Sequence, residues 1–288
     1  MKNFYVVANP EKDPGFERTK AIKQFLELRG ARCAYEGMER VYEKSEKVGH
    51  VFEQIPADTE CVVVLGGDGT LIQAAGRLAR KNIPLIGINL GTMGYLAEVE
   101  KDNIFPMLER LLGDEYEVEE RMMLCGKVYI NNKSEDTLSA LNDIAITRSG
   151  VLRVVGFKIY VNGKLLNIYE ADGMIVSTPT GSTGYSLSAG GPIVEPDAKV
   201  ILITPICPHT LNTRAIILSA EDDVRIEIAP GRRQEKDTAE VAFDGGRTSS
   251  LTSGDYVVIK KAQEITRIIK MSRESFLDVL SRKMSEVK

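Results

Sequence analysis

Short apolar runs alternate with amphipathic segments along the first part of the chain. The runs at 4–8, 61–65 and 84–89 are continuous, which is typical of strands buried on both faces. Residues 16–29 and 104–112 repeat apolar side chains at helical spacing, and each segment ends at a glycine that can terminate a helix. This alternation predicts an α/β fold with an open, mostly parallel sheet.

After residue 115 the hydrophobic pattern changes to alternation with a period of two. The segments 157–161 and 164–168 flank Asn162-Gly163, a strong signal for a two-residue hairpin. We therefore predict an α/β domain over 1–115 and a β-rich, β-sandwich-like domain over 116–270. Further predicted strands are 224–229, 241–243, 256–259 and 265–269.

The end of the chain has helical periodicity again. Residues 272–285 predict an amphipathic helix with Ser272 as its N-cap. Its predicted buried stripe consists of Phe276, Leu277, Val279 and Leu280.

Composition excludes several classes of partner. With 288 residues, 43% hydrophobic and 27% charged, the chain is an ordinary globular protein with room for two domains. Its net charge of −4 argues against a nucleic-acid or anionic membrane partner. We expect no signal peptide, because the first apolar run stops at Asn9 and Pro10. We expect no membrane span, because the longest apolar run, from residue 200, is interrupted by Thr204 and Pro205. Four scattered cysteines and two histidines predict reduced thiols, a cytoplasmic location and no side-chain metal site.

The most informative segment is CVVVLGGDGT at 61–70. A buried strand is followed by Gly66, Gly67 and Gly69 and then by a helix, so backbone N–H groups and the helix dipole favour a phosphate there. Asp68 would repel a phosphate, which suggests that it accepts a proton from an attacking hydroxyl or helps to hold Mg²⁺. The alternative is a tight turn in which Asp68 caps the helix. Both interpretations stay open on this segment alone.

A second cluster, DGMIVSTPTGSTGYSLSAGGPIVEP at 172–196, is dominated by small and hydroxyl side chains. One interpretation is a long polar surface loop, but ordered domains seldom keep such a loop without a use. Tyr185 offers a stacking face, and the glycines bring backbone amides close. The segment therefore favours binding of a base and a ribose. Its hydroxyls come from Ser177, Thr178, Thr180, Ser182, Thr183 and Ser186.

Three smaller features have structural and functional interpretations. Asn142 and Asp143 adjoin an apolar segment and could bind a ribose, although a turn explains them more simply. Asp244, in FDGG, favours a hairpin turn with a second function open. His209, in a proline-rich loop, could touch a phosphate, but a hydrogen-bonded histidine is the more common case.

Taken together, these motifs resemble the NAD kinase family over nearly the whole chain. GGDG alone is weak, because diacylglycerol kinases, sphingosine kinases and 6-phosphofructokinases share it, whereas the long Ser/Thr/Gly segment is specific. The motifs in the family's order are GGDGT (66–70), LNDIAI (141–146), DGMIVSTPTGSTGYSLSAGGPI (172–193), CPHTL (207–211) and FDG (243–245).

The resemblance implies transfer of the γ-phosphoryl group of ATP, with Mg²⁺, to the 2′-hydroxyl of the adenosine ribose of NAD. It implies that Asp68 is the proton acceptor, that residues 271–288 return to the first domain, and that the protein is a homodimer or homotetramer. Inorganic polyphosphate stays open as a donor. Phosphates would be bound by Gly66, Gly67 and Thr70. NAD would be bound by Gly69, Tyr95, Asn142, Asp143, Asp172, Thr180, Thr183, Tyr185 and Ser188, with His209 and Asp244 as secondary candidates.

Some positions depart from that family's usual pattern. Asp143 stands where glutamate is frequent, Gly184 where alanine is frequent, and Glu170 where many members have a basic residue. The chain has no GxxxxGK[ST] motif, so no P-loop lysine holds the donor phosphates. Two other functions are alternatives: a lipid or sugar kinase, and a non-catalytic nucleotide-binding regulator. A lipid kinase should expose an apolar entry surface or a basic amphipathic stretch, and this sequence shows neither. A regulator would not need Asp68.

Overall fold

The structure, a computed structural model, describes residues 1–37, 55–91, 94–150, 154–209, 214–231 and 237–285. These residues form two compact units. The first comprises the described residues up to 120 and from 266 onward, and the second those from 121 to 265. The sequence places the boundaries at 115/116 and 270/271.

A parallel sheet forms the centre of the first unit. Its strands are β1 (Asn3–Ala8), β2 (Arg32–Gly37), β3 (Cys61–Gly66), β4 (Leu85–Asn89) and β5 (Val99–Glu100). They lie in the order β5, β4, β3, β1, β2, and each of these pairings is parallel. The predicted parallel sheet is confirmed, and β3 and β4 are buried along their whole length, which explains their continuous apolar sequences.

The order of strands reverses at β1, because β2 lies on one side of it and β3 and β4 on the other. In open α/β sheets ligands bind beyond the carboxyl ends of the strands at such a reversal. The segments at this position are the loop after β1 and the glycine turn after β3. They are joined by a hydrogen bond of 2.9 Å from the backbone N–H of Asn9 to the carbonyl oxygen of Leu65.

Three helices accompany this sheet: α1 (Glu17–Leu28), α2 (Asp68–Leu78) and α3 (Ile104–Leu112). α3 has the predicted bounds, and Gly113 follows it as predicted. Gly30 follows α1 with a φ of 78°, a left-handed conformation that glycine adopts without strain. The apolar faces of the helices pack on the sheet, with Ile22, Leu26, Leu108 and Leu111 fully buried.

The second unit is almost entirely β-structure. Its strands in chain order are β6 (Glu117–Ile130), β7 (Lys133–Ser134), β8 (Leu138–Ala140), β9 (Asp143–Arg148), β10 (Val155–Val161), β11 (Lys164–Ala171), β12 (Gly173–Ser177), β13 (Val200–Ile206), β14 (Ile216–Ser219), β15 (Val224–Ile228), β16 (Thr238–Phe243), β17 (Arg247–Thr252) and β18 (Tyr256–Lys270). β6 begins in the first unit, and β18 ends there.

Two antiparallel sheets pack face to face in this unit. One contains β11, β10, β15 and β18 in that order, with β6 beside β18, and the other has the order β14, β13, β12, β9, β16, β17. One shared core confirms the predicted β-sandwich-like domain. Its buried side chains include Phe157, Ile226 and Val257 from the first sheet and Ile146, Val176 and Val241 from the second.

The hairpin between β10 and β11 forms where the sequence predicts it. Asn162 and Gly163 have φ values of 49° and 76°, as a type I′ turn requires. The prediction of separate strands at 256–259 and 265–269 is wrong, because β18 is continuous. The exposed Lys260 and Lys261 interrupt the alternation of apolar residues without interrupting the strand.

Two further helices are α4 (Tyr185–Ser188) and α5 (Phe276–Ser285). The predicted details of the terminal helix are wrong: Leu277 is 64% exposed, and none of the α5 residues is buried. Ser275, not Ser272, begins the helix, because its hydroxyl accepts the N–H of Asp278 while the Asp278 carboxylate accepts the N–H of Ser275. Across the described ranges, no helix is long and apolar enough to span a bilayer.

Candidate functional site

The glycine turn connects the carboxyl end of β3 to the first turn of α2. Gly67 is the N-cap of α2, and its carbonyl oxygen accepts the N–H groups of Thr70 and Leu71 at 2.9 and 3.1 Å. A Cβ at Gly66 would overlap the side chain of Thr70, so only glycine allows this close approach. The turn thus presents the amino end of an 11-residue helix at the strand-order reversal, a favourable place for an anion.

Asp68 points away from its own helix and binds the backbone of another loop. Its carboxylate accepts the N–H groups of Tyr95 at 2.6 Å, Ala97 at 2.9 Å and Leu96 at 3.2 Å. Gly67 is the N-cap, so the interpretation of Asp68 as the helix cap is wrong. Three backbone donors fix the orientation of this carboxylate at the end of the glycine turn.

Gly94 allows this arrangement. A Cβ at Gly94 would overlap the carboxyl group of Asp68. The same contact brings Tyr95 to the site through its backbone, and the Tyr95 ring lies 5.8 Å from the ammonium of Lys283, which is within range for a cation–π interaction. Thr92 and Met93, which belong to the second glycine-bearing loop, lie outside the described residues.

Lys12, which is not among the predicted site residues, lies beside the same turn. Its ammonium nitrogen is 2.9 Å from the position that a Cβ would occupy at Gly67, and 3.2 Å from that position at Gly91. A signal for it existed in the sequence. The loop after β1 leaves a parallel strand at its carboxyl end and therefore lies at the same edge of the sheet as the glycine turn.

In the second unit, Asp244 organises the loop before β9. It occupies the turn between β16 and β17 with a φ of 50°. Its carboxylate accepts the N–H groups of Leu141, Asn142 and Asp143 at 2.7, 2.8 and 3.1 Å. Asp244 therefore combines the predicted hairpin turn with a second role, which is to hold the backbone of residues 141–143.

Asp143 and Asp244 are both nearly buried, and burial raises the pKa of both carboxyl groups. The pKa of Asp143 is raised to about 7, mainly by burial and further by the nearby Asp244 carboxylate. The pKa of Asp244 is raised to about 6 by burial, against the opposing effect of its three backbone donors. Asp143 can therefore accept or donate a hydrogen bond near neutral pH.

Besides Nε of Arg225, two buried side-chain polar atoms of the second unit have no hydrogen-bond partner among the described residues. They are Oδ1 of Asn142 and Oγ1 of Thr180. A Cβ at Gly181 would overlap the backbone of Asn142, so the two segments approach closely at this glycine. Buried polar atoms are rarely left unpaired, and two of them in adjoining segments point to a polar ligand.

The Ser/Thr/Gly segment folds into β12, a 3₁₀ turn at Thr180–Thr183 and α4, so the surface-loop interpretation is wrong. Several hydroxyls expected to serve a ligand instead hold the protein together. Thr178 donates to the carbonyl oxygen of Leu141 at 2.6 Å, and Ser186 and Thr204 are hydrogen-bonded at 2.9 Å. The hydroxyls with internal bonds of this kind belong to Ser177, Thr178, Ser182 and Ser186.

The remaining predicted residues of this unit differ in exposure. Tyr185 is 43% exposed and presents its ring to solvent, as a stacking face must. The hydroxyl of Thr183 donates only a long bond, 3.4 Å, to the Thr180 carbonyl oxygen, and Ser188 is exposed. His209 is exposed as well, with its backbone N–H bound to the Glu170 carbonyl oxygen at 2.8 Å. Its contact with a phosphate stays a prediction.

Asp172 is paired with a basic residue that the sequence argument did not single out. The Nε of Arg148 lies 2.8 Å from the Asp172 carboxylate, and the Arg148 backbone N–H donates to the Asp172 carbonyl oxygen at 2.9 Å. Arg148 ends β9, and Asp172 directly precedes β12, the neighbouring antiparallel strand. The strand register therefore places the Arg148 guanidinium beside the Asp172 carboxylate.

The described part of the chain contains no cluster of three or more histidine, cysteine, aspartate or glutamate side chains that could hold a metal. A metal at the glycine turn could take further ligands from a bound phosphate group and from water. That donor set suits Mg²⁺, which keeps several waters and binds through one or two carboxylates and phosphates. Asp68 is the carboxylate that the turn offers.

Comparison with known families agrees with both units. The ATP-NAD kinase N-terminal domain matches residues 4–116, and the ATP-NAD kinase C-terminal domain matches residues 141–271. An NAD kinase of Lachnospira eligens is 47% identical over 99% of this chain and 100% of its own length. This chain belongs to the NAD kinase family. An NAD kinase of Agathobacter rectalis is 46% identical over 99% of both chains.

Solved structures of NAD kinases share the fold. An NAD kinase from Archaeoglobus fulgidus, in complex with ATP, is 25% identical, with a TM-score of 0.76 over 98% of this chain and 99% of that one. A yeast NADH kinase complexed with NADH has a TM-score of 0.82 over 100% of this chain and 88% of that one. At 21% identity the yeast enzyme supports the fold alone. Membership of the family identifies this chain as a transferase and ends the case for the lipid or sugar kinase and for the regulator.

Proposed function

We propose that this chain transfers the γ-phosphoryl group of ATP to the 2′-hydroxyl of the adenosine ribose of NAD, with Asp68 as the proton acceptor. The chain is an NAD kinase that phosphorylates NAD to NADP at the expense of ATP. The observation that carries the finer assignment is the Asp68 carboxylate, which three backbone N–H groups hold at the amino end of α2.

The bonding capacity of Asp68 fits this role. A carboxylate offers about four lone-pair sites, and three backbone donors leave room for about one further donor. A ribose hydroxyl could occupy that site and be oriented toward the phosphorus atom. A secondary hydroxyl is far too weak an acid for a carboxylate to deprotonate outright, so Asp68 takes the proton late in the transfer. Positioning then contributes most of the rate enhancement.

In the transfer, the 2′-oxygen forms a bond to the γ-phosphorus while the bond between that phosphorus and the β–γ bridging oxygen breaks. ADP leaves with the bond's electron pair, and the hydroxyl proton passes to Asp68. Gly66, Gly67 and Thr70 supply backbone and hydroxyl groups for the phosphates at the helix terminus. Bound Mg²⁺ would neutralise phosphate charge and would be held mainly by the phosphates and water.

Recognition of the nucleotide is assigned mainly to residues of the second unit. Oδ1 of Asn142 and Oγ1 of Thr180 are the buried acceptors available for adenine or ribose donors. Asp143 suits the same group because its carboxyl can be protonated or ionised near neutral pH. Tyr185 suits stacking because its ring is partly exposed. The remaining proposed contacts to NAD are Gly69, Tyr95, Asp172, Thr183 and Ser188.

Assembly and location belong to the same proposal. We expect a homodimer or homotetramer, which sedimentation of the purified protein would test. We expect the cytoplasm, because Cys33, Cys61, Cys125 and Cys207 are free thiols. ATP is the proposed donor, and inorganic polyphosphate is the alternative to compare.

Asp68→Asn tests the central assignment. An amide keeps one acceptor oxygen but cannot take the proton, so we expect kcat to fall roughly 10²- to 10⁴-fold. The amide nitrogen also faces a backbone donor, so we expect a loss of stability of roughly 1–3 kcal/mol. NADP formation from NAD, ATP and Mg²⁺, with an EDTA control, should be measured beside NAD binding and thermal unfolding.

Asp102→Asn is the matched control, because Asp102 is an exposed carboxylate of the same unit. Its activity should equal that of the wild type. Unchanged turnover in Asp68→Asn would remove Asp68 from the mechanism. A folded Asp68→Asn variant that no longer binds NAD would assign the residue to substrate recognition instead.

A further inference from the structure

Lys12 lies between the two glycine-bearing loops of the first unit. Its Nζ is 2.9 Å from the Cβ position of Gly67 and 3.2 Å from that of Gly91, which follow β3 and β4 respectively. A side chain at either position would meet the ammonium, so both glycines leave it room. The charge therefore lies beside the N-cap residue of α2, one position before Asp68.

The backbone that supports Lys12 is tightly held. Both Lys12 and Asp13 donate their N–H groups to the carbonyl oxygen of Asn9, at 3.0 and 2.9 Å. The buried Asp13 carboxylate accepts the N–H groups of Arg18 and Thr19 at 3.0 Å each, and also the Thr19 hydroxyl. These bonds fasten the loop after β1 to the start of α1. Lys12 thus extends from a fixed point, as a residue that must meet a ligand does.

The ammonium of Lys12 has no acidic partner in the described ranges. No salt bridge or side-chain hydrogen bond of the described residues includes it, although both carboxylate oxygens of the neighbouring Asp13 accept hydrogen bonds. Asp68 directs its carboxylate to the backbone of residues 95–97 instead. A lysine that is partly buried, held in place and unpaired retains its full capacity to bind an anion.

We propose that Lys12 binds the β- and γ-phosphates of the donor nucleotide and neutralises the charge that develops on the leaving oxygen. It would perform the task of the P-loop lysine, which this sequence lacks. The proposal rests on the proposed function, in which the phosphates of ATP lie at the glycine turn. Three features at the strand-order reversal favour binding of these phosphates: the helix terminus, the glycine amides and the lysine ammonium.

The donor phosphates suit Lys12 better than the diphosphate of NAD does. The position of Lys12 next to Gly67 puts its charge one residue from Asp68, where the phosphoryl group is transferred. In a largely dissociative transfer, negative charge grows on the β–γ bridging oxygen, so a nearby cation binds the transition state more tightly than the ground state. The diphosphate of NAD does not react and gains no charge.

Lys12→Gln, Lys12→Met and Lys12→Arg form the test, with Lys81→Gln as the matched control. Lys81 is an exposed lysine in the turn after α2, at the other end of that helix. We expect kcat/KM for ATP to fall about 100-fold in the Gln and Met variants, as when one preorganised donor to a transition-state charge is removed. Lys12→Arg keeps the positive charge, so this variant should retain most of the wild-type kcat/KM for ATP. KM for NAD, the Tm and the Lys81→Gln kinetics should stay at wild-type values.

Three results would overturn the proposal. One is a kcat/KM for ATP within about threefold of the wild type in both neutral variants. Another is a rise in KM for NAD with unchanged ATP kinetics, which would assign Lys12 to the acceptor diphosphate. The third is unfolding of both neutral variants, which would give the ammonium a structural role. Wild-type protein is measured in parallel, and its failure to form NADP would count against the proposed function rather than against Lys12.

Discussion

Asp143 donates its backbone N–H to the carboxylate of Asp244 at 3.1 Å, although the two residues are 101 positions apart in the chain. Both carboxyl groups are nearly buried, and burial raises both pKa values, to about 7 for Asp143 and about 6 for Asp244. Asp244 has three backbone donors, whereas no hydrogen bond to the Asp143 carboxyl is present among the described residues. Of the two carboxyl groups, Asp143 therefore stays protonated to the higher pH.

Asp143→Asn should stabilise the protein, and increasingly so as the pH rises. An unfolded aspartate has a pKa of about 3.9, so the folded state binds the proton more tightly. The stability contributed by the protonated carboxyl is complete below about pH 4 and is lost as the pH approaches 7. Asparagine cannot ionise, so we expect its advantage to grow between pH 5 and about 7, to roughly 1–4 kcal/mol, and then to level off. Urea unfolding at pH 5, 6, 7 and 8 measures this.

Asp197→Asn makes the same change of charge at an exposed position of the second unit. Its effect on the free energy of unfolding should vary little with pH. If Asp143→Asn follows Asp197→Asn at every pH, the Asp143 carboxyl does not have a raised pKa.

Much of the fold could be predicted because the evidence is local. Continuous apolar runs located β1, β3 and β4, and the Asn162-Gly163 turn located a hairpin whose φ values only such residues adopt readily. Local sequence patterns do not predict features that depend on contacts between residues far apart in the sequence. The apolar stripe predicted α5, but not that its apolar residues stay partly exposed.

The candidate site shows the same limit. The glycine turn and its helix were predictable, because strand, glycine and helix follow one another in sequence. The hydrogen bonds from residues 95–97 to Asp68 were not, because they join two loops across 27 to 29 positions. Composition also could not separate Thr180, whose hydroxyl has no partner within the described ranges, from Thr178, whose hydroxyl donates to the Leu141 carbonyl oxygen. The sequence places the loop of Lys12 at the carboxyl edge of the sheet, but the neighbour of that loop follows only from the strand order, in which β1 lies beside β3.

Thr180→Val should weaken NAD binding without destabilising the protein. The buried Thr180 hydroxyl has no partner among the described residues, so its replacement by a methyl group removes no internal hydrogen bond. We expect unchanged or slightly higher stability. The Kd for NAD should rise roughly 5- to 15-fold, which corresponds to the loss of one net hydrogen bond. Titration calorimetry and thermal unfolding measure the two effects separately.

Thr178→Val is the matched comparison, two positions away in the same segment. The Thr178 hydroxyl donates to the Leu141 carbonyl oxygen at 2.6 Å and accepts the Gly181 N–H at 3.0 Å. Its removal should therefore lower stability by roughly 1–3 kcal/mol. Equal losses of stability in the two variants would contradict the distinction between a structural and a ligand-binding hydroxyl.

Gly94→Ala should impair catalysis through Asp68. The added Cβ would overlap the carboxyl group of Asp68, which three backbone bonds prevent from simply turning away. Displacement of a positioned group by about 1 Å can reduce a rate about 100-fold, so we expect a loss of kcat of that order. Steady-state NADP formation, with thermal unfolding beside it, measures this.

Gly113→Ala controls for the loss of a glycine in the same unit. The nearest heavy atom to a Cβ at Gly113 is the Glu109 carbonyl oxygen at 3.5 Å, an ordinary contact, and we expect wild-type kinetics. The ratio of effects on kcat and on KM for NAD in Gly94→Ala then shows what has moved. A fall in kcat with an unchanged KM means that the Asp68 carboxylate has been displaced from the reacting hydroxyl. Wild-type kcat in a folded Gly94→Ala variant would mean that catalysis does not require the close packing of Gly94 against Asp68.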